Sequence, residues 1–481
     1  AVATTFDLNF NTIAEDFTFT RGSEATFVNA QGLIQSTNEL GSEEIVNGDF
    51  ATDTNWDLGN GWTISGGSAN SDGINFPYIK QNGALVSGEK YELTFDITSY
   101  TSGSIKYEDS VETSIFYSGL GSYSQIFTAS SNNCRFQSAA FNGSIDNVSV
   151  KEYITATNTP RLDYSTGAEA FLLEPQSTNL ITYSSDFSQG YWTKQSGVTA
   201  TYNTTETLSP DGTYNATKFV GNGTTGVFKA SISVSGVVSR SVYLKSVTGT
   251  TTAIFKEPNT NIPSPIALTI TNEWQRFEMI GNNGSSFQGL QIDDITSDGL
   301  FMWGAQLEQQ SFATSLIPTS GASATRNQEL CNNATPVINS EEGTLYAEIS
   351  ALANDGTSRR ISLLEDILNK VSLILSPTSN SIQGLVISEG SVQFNQSFTT
   401  SNVLDFNKIA ISYAENNFSL WVNGVEVATD TSGITFSENT LMKISFADGN
   451  NTSNLFFGNT KDLKYYPKAL ADVQLQDLTT L

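Results

Sequence analysis

The chain has 481 residues, 38% hydrophobic and only 15% charged, with 23 Lys and Arg against 49 Asp and Glu for a formal net charge of −26. A negative field of this size disfavours phosphate backbones and anionic lipid, so neither nucleic acid nor membrane insertion is expected. The complete absence of histidine removes Ser-His-Asp and Cys-His catalysis and His-ligated zinc together, leaving carboxylate, Tyr, Lys or Arg chemistry.

Length alone implies roughly three domains of about 100–200 residues. The polarity comes from Ser, Thr, Asn and Gly rather than from charge, and 29 Phe are too many for a disordered acidic chain. Strand formers separated by Gly and Asn turns give an all-β expectation. Cys134 and Cys331 form neither a disulfide framework nor a zinc pattern and are expected as buried free thiols. No apolar run reaches the roughly 18–20 residues of a helical span. The opening AVATTFDLNF lacks a basic segment followed by an apolar one, so no secretory leader is expected.

In chain order, residues 1–44 read as an N-terminal docking segment, too short for a core of its own, that packs on a neighbouring domain or another subunit. Residues 45–153 form the first module. In Lys90-Tyr91-Glu92-Leu93-Thr94-Phe95-Asp96-Ile97, a period of two places Tyr91, Leu93, Phe95 and Ile97 on one face. A connector, 154–180, leads to a second module, 181–320. Each module starts with Asp-Phe followed within about ten residues by Trp, and each ends in a Gly-led apolar strand, as two divergent copies of one jelly-roll plan would. A linker, 321–340, precedes the third module, 341–481. There Asn423-Gly424 supplies the positive φ of a type I′ hairpin turn. Residues 362–375 mix periods and read as strands, with a short helix as the alternative, and 469–476 read as a short terminal helix.

Three sets of residues carry resemblances. Val46-Asn47-Gly48-Asp49-Phe50 and Gly143-Ser144-Ile145-Asp146-Asn147-Val148-Ser149-Val150-Lys151-Glu152 resemble a carbohydrate-binding-module or galactose-binding-like jelly roll. Residues 21–34, 160–180, 182–188, Gly304-Ala305-Gln306-Leu307-Glu308 and 312–319 are similar to a recurrent bacteriophage tail and appendage pattern. Leu420-Trp421-Val422-Asn423-Gly424 and Lys461–Leu470 resemble a concanavalin-A-like, laminin-G-type lectin domain. The fold class expected is therefore all-β: tandem antiparallel β-sandwich or jelly-roll domains with a C-terminal concanavalin-A-like sandwich.

The resemblances imply a tail or head fibre or spike on the virion surface, binding host cell-surface polysaccharide beside other virion proteins. A homo-oligomer, with a trimer as the guess, follows from the appendage resemblance alone. The rivals are a purely structural virion or capsid-decoration protein and a secreted bacterial glycan-binding protein. Fold alone does not choose among them.

Sugars bind through aromatic platforms flanked by Asp, Asn or Gln. Trp56, Trp62, Tyr78 and Trp192 lie in turn-rich segments and are the candidate glycan-binding residues; core packing is the competing reading for each. Trp274, Trp303 and Trp421 lie inside alternating strands and are assigned to the core. Asp293-Asp294, Asp298 and Asp448-Gly449-Asn450-Asn451 offer oxygen ligands, so Ca2+ is an option although no cofactor is required and none of these segments has the spacing of a dedicated calcium loop. No segment resembles a hydrolase or lyase motif, and no catalytic residue is assigned; a carboxylate-based depolymerase stays open.

Overall fold

The computed structural model describes residues 6–7, 13–111, 116–449 and 453–481. The chain divides into two compact units, residues 38–156 and the remainder. Among the described residues the regular structure is antiparallel strand apart from the short helices Ile13–Asp16 and Asp472–Thr479, and no helix is long and apolar enough to cross a membrane.

Unit 38–156 is built around two long bent strands, Lys90–Tyr107 and Cys134–Ile154, paired antiparallel from Tyr91↔Glu152 to Tyr107↔Phe136 with bulges between. Bulges increase local twist and let one strand serve both layers of a sandwich. Tyr91, Leu93, Phe95 and Ile97 all face the core, as the period of two predicts. They pack with Phe127, Phe136, Phe141 and Val150. Cys134 is a free buried thiol, which burial raises well above the usual range.

The other unit holds two sandwiches. In the first, Thr193–Lys194, Val227–Ser233, Phe287–Asp293, Thr251–Lys256 and Ile266–Ile270 face Thr199–Thr201, Thr217–Val220, Leu300–Glu308, Val238–Ser246 and Gln275–Gly281. Along Val238–Ser246 the even positions Val238, Val242 and Leu244 enter the core between these sheets, so Ser241, Tyr243 and Lys245 point outward. The C-terminal sandwich sets Gly343–Ala351, Asn407–Ala414 and Gly458–Tyr466 against Arg359–Leu364, Lys370–Leu375 and Ser381–Ser388.

The segments expected as docking piece, connector and linker are strands of this unit. Phe6–Asp7 and Ala170–Leu173 both pair with Gly458–Tyr466, Arg161–Asp163 pairs with Ala170–Leu173, and Thr18–Thr20 pairs with Leu330–Asn332. The described part of the N-terminal segment up to Thr37 thus packs on its own chain, while Glu39–Glu43 pairs with Cys134–Ile154 in the other unit.

The appendage-like residues converge on one buried charge cluster. Arg161 donates from Nε and Nη2 to the two oxygens of Glu329 (2.8 and 2.5 Å) and from Nη2 to Glu174 (2.8 Å). Arg21 reaches Glu329 at 2.9 Å and Arg326 reaches Glu174 at 2.7 Å. Glu308 beside them accepts from Ser177, Gln306 and the Thr314 amide. Buried charges are tolerated only when paired and hydrogen-bonded, and here three guanidiniums pair with the carboxylates of Glu174 and Glu329, while neutral donors satisfy Glu308. Burial alone would raise the Glu174 carboxyl, but Arg326, Arg161 and Ser315 outweigh it and hold it at about 2.

Candidate functional site

Three of the four aromatic candidates are core residues. Trp56, Trp62 and Trp192 are 6, 4 and 3% exposed. The Trp56 indole donates to the Asn47 carbonyl nine residues back (3.0 Å) with its ring 5.2 Å from Phe50. Trp192 donates to the Tyr183 carbonyl, also nine residues back (2.9 Å), with its ring 4.8 Å from Phe187. The two tryptophans share this geometry, and it explains why neither is a platform. The turn-rich segment leads each Trp inward to plug a sandwich, whereas connecting segments commonly leave their side chains at the surface. Trp62 lies on Phe141, ring centroids 6.4 Å apart. Tyr78 alone stays exposed, at 38%, with Lys80 Nζ 5.4 Å above its ring.

Trp303 and Trp421 are buried as expected, but Trp274 is not a core residue. It is half-buried at the edge of a cleft of about 540 Å³. The floor is the outer face of the sheet containing Val238–Ser246, contributing Tyr243 and Lys245. One wall is the segment Thr207-Leu208-Ser209-Pro210. The other is the hairpin of Thr26–Val28 and Ile34–Ser36, contributing Val28, Leu33 and Ile34.

The walls fix the side chains between them. The Trp274 indole N–H donates to the Leu208 carbonyl (2.7 Å), and the Lys245 ammonium donates to Thr207 Oγ1 (3.0 Å). The same loop is tied to the hairpin by the Ile34 amide donating to the Pro210 carbonyl (2.8 Å). Tyr243 packs edge-on against Trp303, ring centroids 5.6 Å apart, with the Arg276 guanidinium 5.6 Å from its ring centre. Burial raises the Tyr243 phenol, which therefore remains a hydrogen-bond donor at neutral pH; its hydroxyl has no partner among the described residues. The cleft thus combines an aromatic face, a phenol, an ammonium and the carboxylate of exposed Glu273.

The acidic clusters serve other ends. Asp293 pairs with Lys256 (2.5 Å), and Asp298 sits in an exposed turn. Asp448 is bound by Lys370 (2.5 Å), Arg360 (3.1 Å) and Asn454 (3.2 Å), while Asn450 and Asn451 lie outside the described residues. Among the described residues no group of three or more His, Cys, Asp or Glu could hold a metal ion.

The signal for the cleft was faint. Asn272-Glu273-Trp274 stands at the mouth of a strand rather than within it, and its partners lie far away in sequence. No family model matches the chain, and no curated protein matches it. Solved structures similar to parts of it include domain 4 of AbnA, a GH43 extracellular arabinanase from Geobacillus stearothermophilus, in complex with arabinotriose. That likeness has 14% identity and a TM-score of 0.28 over 35% of this chain and 81% of that one. The tandem CBM22-1–CBM22-2 domain of Xyn10C from Paenibacillus barcinonensis is similar at 10% identity and a TM-score of 0.22 over 56% of this chain and 99% of that one. Domains LG4-5 of the mouse laminin α1 chain are similar at 8% identity and a TM-score of 0.23 over 58% of this chain and 92% of that one.

Proposed function

We propose that this protein is a non-enzymatic glycan-binding protein of a bacteriophage particle, a fibre or spike that engages host cell-surface polysaccharide through the Trp274 cleft. The observation that carries the binding reading is the fixed indole of Trp274 beside Tyr243, Lys245 and Glu273 in one open cleft. A sugar ring needs an apolar face to lie on and donors and acceptors at its rim, and rigid aromatic side chains supply contact area at low entropic cost. Among the described residues Glu273 is the one carboxylate lining the cleft, whereas glycoside hydrolysis by the common mechanisms uses two. The particle assignment rests on the appendage resemblance, as do an oligomer, with a trimer as the guess, and contacts to other virion proteins. Repeated copies would convert weak single sites into firm attachment.

A structural spacer is the second reading, favoured by the burial of Trp56, Trp62 and Trp192. The two separate on binding of labelled full-length protein to host-range cells before and after periodate oxidation of their surface sugars. Saturable, periodate-sensitive binding that Trp274→Ala weakens supports the glycan reading. Absence of binding by the intact, correctly assembled protein overturns it in favour of the spacer.

A further inference from the structure

The two walls of the Trp274 cleft are held in different ways. The wall at 207–210 joins strands of the sandwich that also supplies the floor. The other wall, the hairpin of Thr26–Val28 and Ile34–Ser36, has strands of three residues each. A lone two-stranded hairpin is marginally stable at best in water, so contacts from outside decide where this wall stands.

Those contacts come from the strand Arg161–Asp163. Alternate residues of a strand share a face, so Arg161 and Asp163 point one way and Leu162, packed on the core of the C-terminal sandwich, points the other. Arg161 Nη1 donates to the Thr26 carbonyl (2.7 Å), and Asp163 Oδ2 accepts from the Val28 amide (2.8 Å). The Tyr164 amide adds a bond to the Val28 carbonyl (2.9 Å). Asp163 is 3% exposed, and its other oxygen accepts from the Ser165 amide (2.8 Å) and hydroxyl. No cation of the described residues pairs with it. A carboxylate this deep is costly unless hydrogen bonds satisfy it, and a bond to a charged acceptor is roughly twice as strong as a neutral one. Here that bond lands on Val28, which lines the cleft. At the opposite strand of the hairpin, the Ile34 amide bonds the Pro210 carbonyl of the facing wall (2.8 Å).

We propose that Asp163 is a positioning residue of the cleft: by holding Val28 it sets where the hairpin wall stands over Trp274, so ligand affinity is controlled by a carboxylate outside the cleft lining. The strand that carries Asp163 is referenced to the C-terminal sandwich through Leu162 and to the buried charge cluster through Arg161. The floor belongs to the other sandwich of the same unit, so Asp163 joins the two halves of the site. The ligand rests on the glycan reading above, whereas the placement of the wall does not.

The test follows amide hydrogen exchange and binding to polysaccharide extracted from host-range cells, both on full-length Asp163→Ala and Asp163→Asn. In Asp163→Ala the Ile34 amide, on the hairpin strand that Asp163 does not touch, should exchange about tenfold faster or more, while amides of Val238–Ser246 keep their wild-type rates, as local opening allows. Binding should weaken by about tenfold, the contribution of one hydrogen bond to a charged group. Asp163→Asn keeps an acceptor for the Val28 amide and should recover most of both losses. Unchanged Ile34 exchange overturns the proposal, and so does equal acceleration throughout Val238–Ser246, which marks general destabilisation. A loosened hairpin with wild-type, Trp274-dependent binding also overturns it and leaves the cleft standing. Absence of binding by the wild-type protein sinks the glycan reading alone, and the exchange rates then decide whether Asp163 holds the wall. Should Asp163→Ala fail to fold, Asp163→Ser takes its place under the same criteria.

Discussion

Arg161 and Glu329, 168 residues apart in sequence, meet as a two-pronged buried pair whose side chains are fully shielded from solvent. Around this pair the N-terminal segment, the connector and the strand before the C-terminal sandwich are brought to one place. Glu329→Ala leaves Arg161 and Arg21 without their shared carboxylate. Removing one member of a buried pair costs about 3–5 kcal/mol, and urea unfolding of the variant should show a loss of this size. A change within about 0.5 kcal/mol, typical of an ordinary surface substitution, would contradict the role given to the cluster.

Acid should attack the same place. The Glu174 carboxyl is lowered on folding from 4.5 to about 2, so its contribution is fully present above about pH 4.5 and is lost as pH falls through about 2. Burial raises the carboxyls of Glu92 and Glu278, which act in the opposite sense. Urea midpoints measured from pH 5 to pH 2.5 should therefore fall more steeply for the wild type than for Glu174→Gln. Parallel curves would show that Glu174 does not set the acid limit.

The buried tryptophans should behave as core residues. Trp56→Ala and Trp192→Ala each empty a packed site against Phe50 or Phe187, and large-to-small changes of this kind cost about 3–5 kcal/mol. Thermal unfolding followed by intrinsic fluorescence should register the loss. A stable Trp192→Ala protein that had lost only ligand binding would restore Trp192 as a platform.

Phe76 is 69% exposed with φ +75° and makes the opposite prediction. Glycine at φ +75° relieves the left-handed strain, worth roughly 1–2 kcal/mol per residue and partly offset by the entropy glycine loses on folding. Phe76→Gly should leave the protein slightly more stable, by about 1 kcal/mol or less, while removing the exposed ring. Calorimetry showing clear destabilisation would mean that Phe76 packs against something and is not merely displayed.

Unit 38–156 should be removable. Its entry and exit are bonded to each other, the Ala156 amide donating to Asn38 Oδ1 (3.0 Å) and Asn38 Nδ2 to the Tyr153 hydroxyl (2.6 Å). Insertions of this kind at closely spaced ends are well tolerated by their hosts. Deleting the unit and joining Thr37 to Thr157 should leave a protein that unfolds cooperatively, as seen by circular dichroism through a denaturant series. A molten product would show that the host depends on its insert.

Local patterns were legible where one short stretch decides the outcome. Asn423 and Gly424 take φ of 50° and 80° between Asn417–Val422 and Val425–Asp430, the turn that an Asn-Gly pair tolerates best. Residues 362–364 and 370–375 lie in the strands Arg359–Leu364 and Lys370–Leu375, joined by a bend at 365–369, and the terminal helix runs from Asp472 to Thr479, a few residues beyond its expected start. The cleft was illegible because it is assembled from Val28–Ile34, Thr207–Pro210, Tyr243 and Trp274. No periodicity within a strand reports what a hairpin about 240 residues away leaves uncovered, since only the tertiary fold brings the two together. In the sequence Arg21, Arg161 and Glu174 are only pieces of a recurring pattern; charged residues in short polar segments look exposed until their partners are known.

The binding of Thr37, Asn158 and Thr159 to one arginine also has a mechanical meaning. Arg21 donates to Thr37 Oγ1 (3.0 Å), to Asn158 Oδ1 through its amide (2.8 Å) and to the Thr159 carbonyl (2.8 Å). Tension arriving along the chain at Thr37 can pass through this guanidinium to the far side of the insertion without running through the inserted strands. The module is thereby bypassed in the load path, so a pull that strains the host need not stretch the segment that carries Phe76.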